Sequence, residues 1–100
     1  MSKKTEYELT FLVRANLEEA ERKQVIDAVQ AMVTIDETEE NKLTVTHWGK
    51  RQMAYLIDDQ KEAYYVLLEG PMNGRAIREY DRSLMYNENI LRHLFIRKEA

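Results

Sequence analysis

The stretch WGKRQMAYLIDDQKEAYYVLLE, residues 48–69, decides the fold because it holds most of two β-prone runs joined by a short polar segment. The first run covers 43–57 and the second covers AYYVLLE at 63–69. Aromatic and aliphatic residues of this kind favour strands, and DDQKE at 58–62 is typical of a hairpin turn. We therefore expect two adjacent antiparallel strands, with Gly49 as a candidate bulge.

Lys50 and Arg51 place two cations inside the first of these runs. A charge pair within a strand is either a solvated edge that blocks the addition of another strand or part of a contact surface. Trp48, two residues before Lys50, is interpreted as a packing residue, with base stacking as the alternative. The rest of the chain has to decide between the edge and the contact surface.

The residues before the hairpin predict one strand and one helix. Alternation over 7–13 indicates a strand that buries one face, formed by Tyr7, Leu9, Phe11 and Val13. Asn16 is a candidate N-cap with Glu19 three residues later, and the apolar spacing that follows predicts a helix over about 17–33. The segment 34–42 either extends this helix or forms a loop.

The residues after the hairpin predict a second helix and a last strand. Gly70 and Pro71 are expected to end the third strand, and Asn73 can cap a helix. The buried stripe of that helix is Ile77, Tyr80 and Leu84. NILRHLFIRK, residues 89–98, reads as the closing strand.

The order β-α-β-β-α-β predicts an α+β, ferredoxin-like split β-α-β fold over residues 1–100 as a single domain. Such a fold has a four-stranded antiparallel sheet with two helices on one face and leaves the other face open. With Phe95 assigned to the helices, Arg92, Leu94 and Ile96 project onto the open face, and the first strand adds Leu12 and Arg14. This mixture of apolar and cationic side chains favours a binding surface over bare solvent.

Composition and motifs argue against several classes of protein. The chain has no cysteine and no apolar run near the roughly 18 residues of a membrane span, and its start lacks a secretory signal, so we expect a cytoplasmic protein. His47 and His93 are not at metal-ligand spacing, and no glycine-rich phosphate loop or Ser-His pair is present. We expect no enzyme activity, no metal or other cofactor, and no small-molecule substrate.

Charge is spread unevenly over the chain, whose formal net charge is -3. Residues 16–42 carry eight acids and three bases, whereas 43–57 carry only Lys50 and Arg51. Solvated faces are the ordinary explanation of such a pattern. The alternative is a molecule polarised towards a partner.

The chain resembles the family of the sixth protein of the bacterial small ribosomal subunit. The likeness is carried by YELTFLV at the first strand, WGKRQMAYLI and KEAYYVLL at the hairpin, and NENILRHL entering the last strand. The resemblance implies a structural protein of the small ribosomal subunit with the same element order. It also implies two partners, the central domain of small-subunit ribosomal RNA and the eighteenth small-subunit protein.

The resemblance implies that the cations are candidate contacts to RNA phosphates. Lys50 and Arg51 would be presented where the second strand leaves its hairpin partner. The full set of candidate RNA-binding residues is Lys3, Lys4, Arg14, Lys50, Arg51, Arg92, Arg97 and Lys98. Apolar residues of the open face and its rim have no reason to meet phosphate and are assigned to the protein partner: Leu12, Leu67, Leu94 and Ile96.

Two other functions remain as alternatives. A free-standing RNA-recognition motif shares the strand order, but KEAYYVLL at 61–68 lacks the glycine and two of the three aromatic residues of its third-strand signature. A small ferredoxin-like enzyme or ligand sensor is the other alternative. His93 is interpreted as a packed sheet residue rather than as the general base of such an enzyme.

Overall fold

The computed structural model describes residues 4–57 and 59–98, with Lys4 described by its backbone only. Within these residues the chain forms β1 (Lys4–Arg14), α1 (Glu19–Val33), β2 (Thr44–Ile57), β3 (Gln60–Asn73), α2 (Ile77–Met85) and β4 (Ile90–Arg97). The strands make an antiparallel sheet in the order β2-β3-β1-β4. The predicted ferredoxin-like arrangement is confirmed.

The core lies between the two helices and one face of this sheet. Alternation along β1 sends every second side chain inward, and Leu9, Phe11 and Val13 are fully buried as predicted. Tyr7 packs against the same core. The helices and the other strands contribute further buried residues, including Ile26, Val29, Val33, Val66, Leu68, Met72 and Leu84. The opposite face of the sheet is not covered by either helix.

A bulge in β2 determines on which face of the sheet the following side chains lie. Between His47 and Gly49 the register with β3 shifts, which leaves Trp48 as the extra residue. Gly49 has a φ of 82°, which suits glycine and confirms the candidate bulge. Strict alternation would have put Lys50 on the open face, but the extra residue reverses the parity and puts Arg51 there. Trp48 is 43% exposed and is not among the side chains that pack against the core, so its interpretation as a packing residue is not confirmed.

A second register shift lies between Leu12 and Val13 of β1, where that strand pairs with β4. The shift brings Ile90 opposite Val13, and Ile90 is buried. Strict alternation back from Phe95 would have put Ile90 on the open face. The predicted faces of Arg92, Leu94 and Ile96 lie beyond the shift and are confirmed by their register with β1.

The β2–β3 hairpin extends beyond the ends of its neighbours. Gln52 is opposite Glu62 and Ile57 is opposite Gln60, so residues 53–56 lie opposite Lys61 alone. This wide irregularity presents two apolar side chains to solvent, Tyr55 and Leu56. The turn is shorter than the predicted 58–62, because β3 begins at Gln60.

The start of α1 differs from the prediction. Asn16 lies in the turn after β1, the N-cap position is Glu18, and no side chain caps the helix. Asparagine favours turns as well as caps, so its presence did not distinguish the two.

The segment 34–42 forms a loop rather than an extension of α1. The helix ends at Val33, and a short 3₁₀ helix covers Glu39–Asn41. The Asp36 carboxylate accepts hydrogen bonds from the Thr38 backbone N–H at 2.9 Å and from Nδ2 of the buried Asn41 at 3.0 Å. These hydrogen bonds satisfy the Thr38 N–H and the Asn41 side chain within the loop, and local bonds of this kind compete with the continuation of a helix.

The end of β3 also differs from the prediction, because the strand runs past Gly70 and Pro71 to Asn73. Pro71 is opposite Glu6 and Asn73 is opposite Lys4 of β1. Asn73 does not cap α2, which begins at Ile77, but its Oδ1 accepts a hydrogen bond from the Arg75 N–H in the connecting turn.

Gly70→Ala is expected to lower the free energy of unfolding by about 2 kcal/mol or more. Gly70 has a φ of 146°, and a Cβ there would lie 2.9 Å from Cδ2 of Leu43 and 3.1 Å from the Lys42 carbonyl oxygen. Gly49→Ala is the matched control, because its φ is also positive but no atom beyond its two chain neighbours lies within 4 Å of the added Cβ. Urea denaturation should show the smaller loss at Gly49, about 1–2 kcal/mol. A larger loss at Gly49 would contradict the crowding at Gly70.

Candidate interface on the open sheet face

Three arginines share one end of the open face, which we call the arginine end (Arg14, Arg51 and Arg92). Arg51 and Arg14 lie on either side of Ala63 in the sheet register, and Arg92 is opposite Leu12 one row further along. At about 4.8 Å between neighbouring strands, the Cα atoms of Arg14 and Arg51 are about 10 Å apart. Ala63 faces the same side and is fully buried, so its larger neighbours cover it.

Backbone carbonyls orient two of these arginines. Nε of Arg51 donates a hydrogen bond to the Trp48 carbonyl at 3.3 Å, across the β2 bulge. Nε of Arg14 donates to the Glu88 carbonyl at 2.7 Å, in the turn before β4. A guanidinium has five N–H donors, so one bond to a carbonyl holds the group in place and leaves Arg51 able to bind an anion.

The middle of the open face is apolar, and we call it the apolar centre (Leu12, Leu67, Leu94 and Ile96). Leu67 and Leu94 flank Thr10 in one row, and Leu12 lies in the next row. Leu94 is 58% exposed and Ile96 is 45% exposed, while Leu12 and Leu67 are half-buried. Exposed apolar side chains grouped in this way are typical of a surface that binds another molecule.

The far end of the open face carries an ion-pair cluster. Nζ of Lys98 lies 3.1 Å from Oε2 of Glu69 and 3.7 Å from Oε2 of Glu8. The hydrogen bond to Glu69, together with the charge of that carboxylate, raises the pKa of Lys98 above its ordinary value. Lys98 is six residues along the strand from Arg92, or about 20 Å, so the structure does not bring it to the arginine end.

Lys50 and Arg97 belong to the other face of the sheet. Lys50 is opposite Tyr64, whose ring packs against the core and lies 4.4 Å from the Arg22 guanidinium. Arg97 is opposite Tyr7, which also packs against the core. The prediction that Lys50 and Arg51 lie where β2 leaves β3 is wrong, because both are still paired with β3.

Two of the predicted RNA-binding residues lie outside this description. Lys3 is not among the described residues, and only the backbone of Lys4 is described. Of the eight candidate cations, the structure therefore groups Arg14, Arg51 and Arg92 at one end of the open face. The RNA-binding role of each of the eight stays a prediction.

The sequence interpretation missed exposed side chains at the end of α2. Leu84 ends the predicted stripe and is 2% exposed, whereas Met85 and Tyr86, directly after it, are 62% and 75% exposed. Their position off the stripe of Ile77, Tyr80 and Leu84 was visible in the sequence and could have indicated this exposure. Tyr65 was also missed, and it lies half-buried on the open face opposite Leu12.

Other kinds of chemistry have little support in the part of the chain that the structure describes. Nε2 of His93 lies 2.7 Å from Oδ1 of Asp81, and the imidazole is 14% exposed, which confirms its interpretation as a packed sheet residue. Over residues 4–57 and 59–98, no cluster of three or more His, Cys, Asp or Glu side chains could hold a metal ion. No helix in these ranges has both the length and the apolar character that crossing a membrane needs.

The fold and the open face define a class of small α+β proteins, ferredoxin-like domains whose sheet is covered by helices on one face only. Within that class, the chain belongs to the ribosomal protein S6 family, whose model matches residues 6–97. A solved structure, the 30S ribosomal protein S6 from Thermotoga maritima, has the same fold, with a TM-score of 0.81 and 24% sequence identity. The match covers 96% of this chain and 89% of that chain. Family membership makes the chain an rRNA-binding, structural protein of the small ribosomal subunit rather than an enzyme.

Proposed function

We propose that this chain binds the central domain of small-subunit ribosomal RNA together with the eighteenth small-subunit protein, using the open sheet face for both contacts. The observation that carries this proposal is the division of that face into an arginine end and an apolar centre. Guanidinium groups suit phosphates, whereas exposed leucine and isoleucine suit a protein partner. The two ligands would lie side by side on one sheet.

The arginine end is too small to hold RNA tightly by itself. Three phosphate contacts would release about three counterions, at roughly 0.9 per phosphate for a duplex. The net charge of -3 opposes the approach of a polyanion. A partner seated on the apolar centre would lie next to the arginine end and could add its own cations to the same RNA contact. The proposal therefore requires cooperation between the two proteins.

The RNA-recognition-motif alternative fits the open face less well. That mode stacks two or three bases on aromatic side chains of the central strands. The open-face positions of β3 from 63 to 69 contain one aromatic residue, Tyr65. The open-face positions of β1 next to it are Thr10, Leu12 and Arg14. Phosphate contacts and a protein partner account for these residues better than base stacking across the sheet.

Replacing Arg51 and Arg92 together by alanine is expected to weaken RNA binding and to flatten the plot of log affinity against log salt by up to about 2. Both side chains are exposed, so the thermal midpoint should change little. The control is Lys50→Ala with Arg97→Ala, which removes the same charge from the helix-covered face of the sheet. Filter binding over a salt series should leave the slope of the control unchanged. Equal flattening by both double variants would contradict the open-face site.

A further inference from the structure

A groove of about 560 Å³ opens beside the arginine end, between the β2–β3 hairpin and the turn that joins α2 to β4. Its walls include Ile57 of the hairpin, Met85 and Tyr86 after the buried stripe of α2, and Ile90, Leu91 and Arg92 of β4. Its volume is within the range of about 300–1,000 Å³ that holds small organic groups. The groove has no part in the contacts proposed above except through Arg92.

Tyr86 has the position of a binding residue rather than a packing residue. Its side chain is 75% exposed, although its backbone is fixed at the end of α2 by a hydrogen bond from its N–H to the Arg82 carbonyl at 3.2 Å. The neighbouring Leu84 already supplies the buried contact of this turn. The Tyr86 ring is therefore an exposed aromatic side chain on an ordered backbone, which is the arrangement that a stacking contact needs.

Positive charge is continuous from the groove to the open face. Arg92 lines the groove and also lies on the open face opposite Leu12. Arg14 does not line the groove but lies next to it, because its Nε donates a hydrogen bond to the backbone carbonyl of Glu88, a lining residue. The Glu88 carboxylate is the acidic side chain of the lining, and it is exposed to solvent. A ligand in this groove would meet an aromatic ring and a guanidinium together.

We propose that Tyr86 stacks on an unpaired base of ribosomal RNA in this groove while Arg92 binds a phosphate of the same strand. The inference rests on the proposed function and goes further by specifying single-stranded RNA at the end of the sheet. Unpaired bases stack on aromatic side chains, and the adjacent guanidinium matches the charge of the sugar-phosphate backbone. A purely apolar protein segment would leave Arg92 without a matching charge.

The test measures binding of a central-domain RNA transcript to the full chain in the presence of the protein partner. Tyr86→Leu removes the ring and is expected to weaken binding about fivefold or more, whereas Tyr86→Phe should stay within about twofold of the wild type. The salt slope of Tyr86→Leu should equal that of the wild type, because no charge is lost. Tyr55→Leu is the control, since Tyr55 is 66% exposed but does not line the groove.

Three outcomes would overturn the stacking contact. If Tyr86→Leu binds RNA as tightly as the wild type while the arginine variants lose affinity as expected, the stacking contact is refuted and the proposed function stands. Equal losses in Tyr86→Leu and Tyr55→Leu would remove the assignment to the groove. A loss of affinity between Tyr86→Leu and the protein partner without RNA would make the occupant a protein. Failure of the proposed function itself would appear separately, as arginine variants that bind RNA like the wild type.

Discussion

Phe11→Ala is expected to lower the free energy of unfolding by about 3–5 kcal/mol, the range for removing a large buried aromatic side chain. Phe11 is fully buried on β1, which is flanked by β3 on one side and β4 on the other. The side chain lies against the core formed by both helices, so the cavity left by alanine cannot be filled by a simple shift of one surface element. Urea denaturation followed by circular dichroism measures the loss.

Leu12→Ala is the matched control for this prediction. Leu12 is adjacent in sequence, but it is half-buried and lies on the open face opposite Tyr65 and Arg92. Its replacement removes less buried surface and should cost clearly less than the replacement of Phe11. Equal losses in the two variants would mean that the two faces of β1 are equally packed, which the open-face interpretation does not allow.

The wild-type chain is expected to bind central-domain RNA weakly alone and at least tenfold more tightly with the eighteenth small-subunit protein, a coupling of about 1.4 kcal/mol. Leu94→Asp should abolish that gain, because it puts a carboxylate into the apolar centre where the partner is proposed to pack. Leu94 is 58% exposed, so the variant should remain folded. Filter binding with and without the partner gives the four affinities that are needed.

Ala28→Asp provides the matched control for Leu94→Asp. Ala28 is exposed on α1, away from the open face, so this variant adds the same charge elsewhere on the molecule. The gain from the partner should be kept in Ala28→Asp and lost in Leu94→Asp. Tight RNA binding by the lone wild-type chain, or an equal loss of the gain in both variants, would refute the cooperative arrangement.

Long regular patterns made most of the fold predictable from the sequence. The alternation of Leu9, Phe11 and Val13 specifies the buried face of β1, and the same period in β4 placed Leu94 and Ile96 correctly. Parity of this kind survives errors of one or two residues at the strand ends. The element order could therefore be predicted although several boundaries were wrong.

The candidate site was less predictable because it depends on single irregular residues. The extra residue at Trp48 decides that Arg51 and not Lys50 shares a face with Arg14. Gly49 indicated a bulge, but a glycine does not specify how the register changes after it. The ion pairs of Lys98 were unpredictable for another reason, since its carboxylate partners come from strands distant in sequence.

The unsupported end of the β2–β3 hairpin has a consequence for motion. Within the described residues, the pairing of β1 with β3 ends at Ala63, so the hairpin beyond it is a two-stranded ribbon interrupted opposite Lys61. Such ribbons are marginally stable, and they open locally without disturbing the core. Ile57 on this ribbon forms one wall of the groove. A base bound there, as proposed above, has to offset the conformational entropy that the ribbon loses when it becomes ordered. We therefore expect the affinity for such a base to depend on how often the ribbon is ordered, while the sheet behind it keeps its shape.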